Sequence, residues 1–197
     1  YAQILGTPNF TPVGNNIILS DAAYNSSDFE ADVAMAGDNT FVVVYRGTTI
    51  DSWSSRPYDV YLRRFAAHGS PLTATLKVNG GEPESLYDDF DARMSPSIAM
   101  RPDGSFGVVW TEGLADVADP GIYPVLQLYT SEASPIGGNM QASNNEFVST
   151  ARSYVAVNDD NQWAIGFTGT GAWANGVNMM GPRSEEHTSE LQSRQVI

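Results

Sequence analysis

A thirteen-residue pattern that occurs three times constrains this chain more than any other feature. Residues 33–45 read Val-Ala-Met-Ala-Gly-Asp-Asn-Thr-Phe-Val-Val-Val-Tyr, residues 98–110 read Ile-Ala-Met-Arg-Pro-Asp-Gly-Ser-Phe-Gly-Val-Val-Trp, and residues 155–167 read Val-Ala-Val-Asn-Asp-Asp-Asn-Gln-Trp-Ala-Ile-Gly-Phe. Met35 and Met100 lie 65 positions apart, and Met100 and Val157 lie 57 apart. Self-similarity at such a spacing means repeated supersecondary units. One unit cannot bury its own apolar face, so neighbours stack to share a core.

Each copy is two short apolar runs around a polar turn. The turns are Gly37-Asp38-Asn39-Thr40, Pro102-Asp103-Gly104-Ser105 and Asp159-Asp160-Asn161-Gln162. Asp-Asn and Asp-Gly pairs tolerate the positive φ that two-residue hairpin turns require. The second run of each copy is rich in Val, Ile and aromatic residues and is apolar throughout rather than alternating. That composition predicts a strand covered on both faces. Val42, Val43, Val44, Val108, Val109, Trp110, Ile165 and Phe167 are therefore the expected core. Hairpins are expected at 33–45, 98–110 and 155–167, with negligible helix before residue 183.

A second half follows each hairpin. Asp59–Phe65, the turn Ala66–Leu72 and Leu76–Asn79 are answered by Tyr123–Tyr129, a turn through Ser134-Pro135-Ile136, and Met140–Ser143, here with an offset of 64. The opening, from Tyr1 through Val13 to Ser20, fits the same second half. The expected organisation is residues 1–24 as the C-terminal part of a unit, 25–79 and 80–143 as units, and 144–182 as the N-terminal part of a unit. Each unit holds four strands. All-β stacking of this kind predicts a β-propeller-like array. A tandem array of β-sandwiches or a β-solenoid ranks lower, since sandwiches use about seven strands per module and solenoid coils are shorter.

The pattern Val-Ala-Met…Asp-Gly-x-Phe-Val-Val-Val-Trp…Arg-Phe…Gly-x-Pro-Leu…Val-Asn resembles tandem repeats of large bacterial secreted and surface proteins. The first copy matches almost throughout. The second replaces the Arg-Phe pair with Leu128-Tyr129, and the third keeps only the hairpin. The resemblance covers about residues 1–173. It implies a propeller-like fold and an extracellular or cell-surface setting, and it brings no catalytic residues. The run Arg183–Ser193 resembles a translated sequencing adapter, so residues 183–197 are expected to be a non-native tail.

Composition narrows the partners. The chain has 23 acidic and 10 basic residues; without Glu185, Glu186, Glu190, Arg183 and Arg194 the balance is 20 to 8, a net charge of −12. That excess opposes nucleic acid and anionic membranes, both of which need basic patches. No run of about 18 apolar residues exists to insert into a bilayer. With no cysteine there is neither a disulfide framework nor a thiolate site.

Chemistry-bearing candidates are few. His68 sits in a turn between Ala67 and Gly69, and His187 lies in the tail, which leaves little for a triad or a histidine metal site. Asp88, Asp89 and Asp91 are dense enough to contribute oxygens to calcium, although the spaced acidic loop of an EF-hand is missing. Solvated linker acids are the plainer account. Trp53 and Trp173 lie in Gly/Ser/Thr-rich loops after the second strand, where an exposed aromatic can stack on a sugar or anchor a partner. The expected function is non-catalytic: adhesion, binding or spacing as a repeat segment of a large secreted or surface protein. Its partners would be a surface ligand or glycan and the remaining propeller units. The alternative is a carbohydrate-active, sialidase-like propeller enzyme with catalytic residues outside this chain; a calcium-stabilised array is the third.

Overall fold

The computed structural model describes residues 1–20, 29–48, 58–79, 94–113, 122–142 and 148–171. Every regular element among them is a β-strand, in the order β1 (Ala2–Gly6), β2 (Thr11–Ile17), β3 (Phe29–Met35), β4 (Phe41–Thr48), β5 (Tyr58–Phe65), β6 (Leu76–Lys77), β7 (Met94–Met100), β8 (Phe106–Gly113), β9 (Ile122–Tyr129), β10 (Pro135–Gln141), β11 (Val148–Val157) and β12 (Trp163–Gly171). The fold is all-β, as the periodicity predicts. The three repeated segments form the hairpins β3–β4, β7–β8 and β11–β12, which close on the equivalent pairs Met35↔Phe41, Met100↔Phe106 and Val157↔Trp163.

Pairing mostly follows chain order. β1–β2 is a two-stranded sheet, β3-β4-β5-β6 a four-stranded meander, and a third sheet runs β12-β11-β9-β8-β7 with β10 paired to β9. Inside that third sheet, β7 to β10 repeat the four-stranded meander. β11 reaches β9 only through the parallel pair Ser149↔Ile122. Among the described residues no sheet closes on itself.

The turns differ from the two-residue type expected. Ala36 N donates to Thr40 O at 2.8 Å and Asn39 N donates to Ala36 O at 3.0 Å, with Asn39 at φ 66°. This is a longer hairpin turn closed by one left-handed residue. It recurs at Arg101–Ser105 and Asn158–Gln162, and again between β5 and β6 (Ala66–Ser70) and between β9 and β10 (Thr130–Ser134). Gly104, Asn161, Gly69 and Ala133 take the left-handed place there. In the first two turns the Asp side chain locks the loop. Asp38 Oδ1 accepts from Thr40 N at 2.9 Å and Thr40 Oγ1 at 2.7 Å, and Asp103 Oδ1 accepts from Ser105 N at 2.9 Å and Ser105 Oγ at 2.6 Å.

The central strands are covered on both faces. Phe41, Val43 and Tyr45 pack with Tyr61 and Phe65 against Ala2, Ile4, Ile17 and Leu19 of the opening hairpin region. Val42 and Val44 face the other way and pack with Val60 and Leu62 against Ile98, Phe106, Val108, Trp110 and Tyr129. Alternating side chains of one apolar run thus feed two cores. Equivalent rings stack across β4–β5 and β8–β9: Phe41 on Phe65 at 5.1 Å and Phe106 on Tyr129 at 4.9 Å.

Six of the eight expected core residues are buried: Val42, Val43, Val44, Val108, Val109 and Trp110. Ile165 is only half-buried, and Phe167 is 38% exposed, so both correct that expectation. The cause is local. β4 and β8 each have strands on both edges, whereas β12 ends its sheet and has β11 alone beside it among the described residues.

Neighbouring units also meet through polar contacts near the first strand of each. Asp32 Oδ2 accepts from Ser97 Oγ at 2.9 Å and Ile98 N at 3.0 Å, Glu30 Oε2 accepts from Ser95 N at 2.8 Å, and Gly37 N donates to Pro102 O at 3.3 Å. The motif residue Asn79 closes the first meander. Its Oδ1 accepts from Val60 N at 2.9 Å and its Nδ2 donates to Asp59 Oδ1 at 2.7 Å, while Lys77 Nζ sits 3.0 Å from Asp59 Oδ2.

Candidate functional site

The repeated hairpin turns converge. Met35, Ala36 and Gly37, then Met100, Arg101 and Pro102, then Val157, Asn158 and Asp159 line one cleft of about 340 Å³. These are the same three consecutive positions of the repeat, taken from three successive copies. They meet because β3 packs beside β7 and β7 beside β11, which sets the ends of the three first strands around a common point.

The cleft is lined by apolar and polar groups together. Met35 is 56% exposed, and Met100 and Val157 are half-buried. Flexible Met side chains adapt to irregular ligand shapes. Arg101 lies along its own turn, with Nη1 3.3 Å from Asp103 Oδ2 and 3.3 Å from Ser105 Oγ. Its Nε is buried and finds no acceptor among the described residues. The Asp103 carboxyl is held below the ordinary carboxylate range, first by the Ser105 hydroxyl and backbone N–H it accepts from, and then by the Arg101 charge. On the third turn, Asn158 Oδ1 accepts from Gln162 N at 2.9 Å and its Nδ2 donates to Gln162 Oε1 at 2.9 Å. Asp159 is exposed beside it.

The other candidates fall elsewhere. Asp88, Asp89, Asp91, Trp53 and Trp173 all lie outside the described residues. His68 is the expected exposed turn residue: its Nε2 is 2.8 Å from Ser70 Oγ, and within the β5–β6 turn it takes the place that Asp38 and Asp103 take in the β3–β4 and β7–β8 turns. Several arginines serve the framework. Arg63 donates to Thr73 O at 3.2 Å and Leu19 O at 3.3 Å, and Arg64 pairs with Glu132 at 3.0 Å. Among the described residues no group of three or more His, Cys, Asp and Glu could hold a metal ion, and no helix is long and apolar enough to cross a membrane.

No protein-family model matches this chain, and no curated protein is detectably similar to it. The site therefore rests on geometry. The sequence alone does not single out Arg101 and Asn158, although it carries a signal for them: both fall at one repeat position, next to the turn that every copy shares.

Proposed function

We propose that this chain is part of a β-propeller-like array of an extracellular or cell-surface protein, with a non-catalytic role in adhesion, and that it binds a glycan where its units converge. The observation that carries this is the cleft lined by positions 35–37, 100–102 and 157–159. In a linear array, equivalent turns are separated by the width of a unit. Units radiating from an axis, with β3, β7 and β11 innermost, bring them together. Stacking around an axis also accounts for strands that are apolar on both faces.

The lining suits a sugar. Met35, Met100 and Val157 offer an apolar surface for the C–H face of a ring, and Arg101, Asn158 and Asp159 offer donors and acceptors for hydroxyls. The net charge of −13 disfavours acidic glycans, so neutral oligosaccharides are the class expected. Ligand-observed NMR against neutral and sialylated oligosaccharides tests this. The expected outcome is binding of a neutral glycan without turnover, weakened about tenfold or more by Arg101→Ala with Asn158→Ala, and an unchanged circular dichroism spectrum. Failure of every neutral glycan to bind would refute the ligand class, and release of free sugar would replace the binding role with a hydrolase.

A further inference from the structure

The hydrogen bond that joins the β3–β4 and β7–β8 turns cannot recur between the β7–β8 and β11–β12 turns. At the first seam Gly37 N donates to Pro102 O at 3.3 Å. The approach is tight, since a Cβ at Gly37 would stand 3.1 Å from that same oxygen. One repeat further on, Pro102 holds the donor's place and Asp159 the acceptor's. Proline has no N–H, and a ring carbon projects from its nitrogen instead. Among the described residues no backbone N–H donates to Asp159 O. Pro102 and Asp159 both line the cleft, so the missing bond lies in its wall.

We propose that a bound sugar makes the connection that Pro102 cannot, with two neighbouring hydroxyls seated between Arg101 and Asp159. This rests on the glycan reading above and narrows it to sugars that present a free vicinal diol. The two sides of the gap complement such a pair. A guanidinium carries several N–H donors and no acceptor. The side-chain contacts of Arg101 among the described residues all run from Nη1 to its own turn, at Asp103 Oδ2 and Ser105 Oγ. Asp159 brings acceptors, its carbonyl oxygen and an exposed carboxylate. A hydroxyl accepts with its oxygen and donates with its proton, so one of the pair takes an Arg101 N–H and the other gives its proton to Asp159 O.

Other ligand groups serve only one side. A carboxylate would satisfy Arg101 but offers Asp159 O no proton and meets the Asp159 carboxylate as a like charge. An ammonium would satisfy Asp159 and meets the Arg101 charge. A group left unmatched in this way lowers affinity, which is how a site discriminates. The Pro102 ring and Met100 give the C–H face of the sugar an apolar surface beside the diol. Pro102 is therefore the specificity-determining residue: it withholds a donor from Asp159 O and leaves that acceptor to the ligand.

Pro102→Ala tests this by restoring an N–H at a turn position that Gly37 and Asp159 fill in the other copies. The new amide at position 102 is expected to close on Asp159 O, as Gly37 N closes on Pro102 O, and to exchange slowly with deuterium in NMR spectra. Saturation-transfer NMR with maltotriose, cellotriose, xylotriose and mannotriose measures binding. The unaltered chain is expected to bind at least one of these, and Pro102→Ala to bind it about tenfold more weakly or worse. The per-O-methylated form of the same sugar, which accepts but cannot donate, is expected to lose about as much on the unaltered chain. Three results would overturn the diol bridge while leaving the glycan reading in place: equal binding of the methylated sugar, unchanged binding by the variant, or weaker binding while the amide at position 102 exchanges freely. Failure of every neutral sugar to bind the unaltered chain would remove the glycan reading and this inference with it.

Discussion

Replacing Asn79 by alanine tests how the first meander is held shut. Asn79 is 2% exposed and Asp59 is 4% exposed. Truncation deletes the acceptor of Val60 N–H at 2.9 Å and the donor to Asp59 Oδ1 at 2.7 Å. Depriving a buried polar group of its partner costs about 1–3 kcal/mol, with charged acceptors at the upper end. Lys77 remains 3.0 Å from the other Asp59 oxygen, so the carboxylate loses only part of its stabilisation, and the total comes to about 2–4 kcal/mol. For a chain of this size each kcal/mol moves the melting temperature by about 2–4 °C, a drop of roughly 4–16 °C. Urea unfolding followed by circular dichroism, with calorimetry alongside, measures both quantities. Asn79→Asp is the sharper control. It sets a second carboxylate against Asp59, so it is expected to destabilise more than alanine at neutral pH and to recover in acid as one carboxyl protonates. A loss under about 0.5 kcal/mol for Asn79→Ala, the scale of an ordinary surface change, would refute this role for the motif asparagine.

Trp110→Ala is expected to cost about 3–5 kcal/mol in urea unfolding, since Trp110 is fully buried between the two meanders; a loss under about 1 kcal/mol would mean that the meanders do not share that core. The pH profile has two flanks. Hydrogen bonds from Thr40 and Ser105 hold the Asp38 and Asp103 carboxyls below their ordinary range, so their contribution is present above the ordinary carboxylate pKa and is lost as pH falls through the depressed values. Burial pushes Tyr129 up to about 12, so its contribution is full below the ordinary tyrosine pKa and is lost as pH rises toward about 12. Thermal melts across pH should fall at both ends. Thr40→Val with Ser105→Ala should remove part of the acid-side fall, and an unchanged acid flank would exclude these two turns as its source.

The repeat exposes the hairpins because aligned residues share backbone constraints. Apolar strand, Asp-containing turn and apolar strand recur with enough fidelity to place β3–β4, β7–β8 and β11–β12. The turn type departs from expectation for a specific reason. Asp-Gly and Asp-Asn announce a left-handed residue, but the length of the loop depends on which flanking residues pair, and only Met35↔Phe41 and its counterparts settle that. Ile165 and Phe167 depart because equivalence in sequence is not equivalence of surroundings. Val43 and Val108, and Tyr45 and Trp110, hold the equivalent places and are buried on strands that have β5 or β9 beside them, and β12 has no such neighbour among the described residues. The convergence of Met35, Met100 and Val157 at one cleft is a matter of how units sit side by side. The pattern within one unit does not contain it.

The two-faced strand β4 also sets a timetable for synthesis. Every strand of the first meander pairs with its sequence neighbour, so each hairpin can zip within microseconds of emerging. The Phe41, Val43 and Tyr45 face then meets the opening hairpin region, which is already made. The Val42 and Val44 face must wait for Phe106, Val108 and Trp110, some 65 residues later. At a translation rate of about 5–20 residues per second that interval is about 3–13 s, far longer than the pairing itself. Throughout it the nascent chain carries an uncovered sheet of valine and leucine. The acidic excess and the Asp-bearing turns at the rim of each hairpin discourage other chains from docking there first.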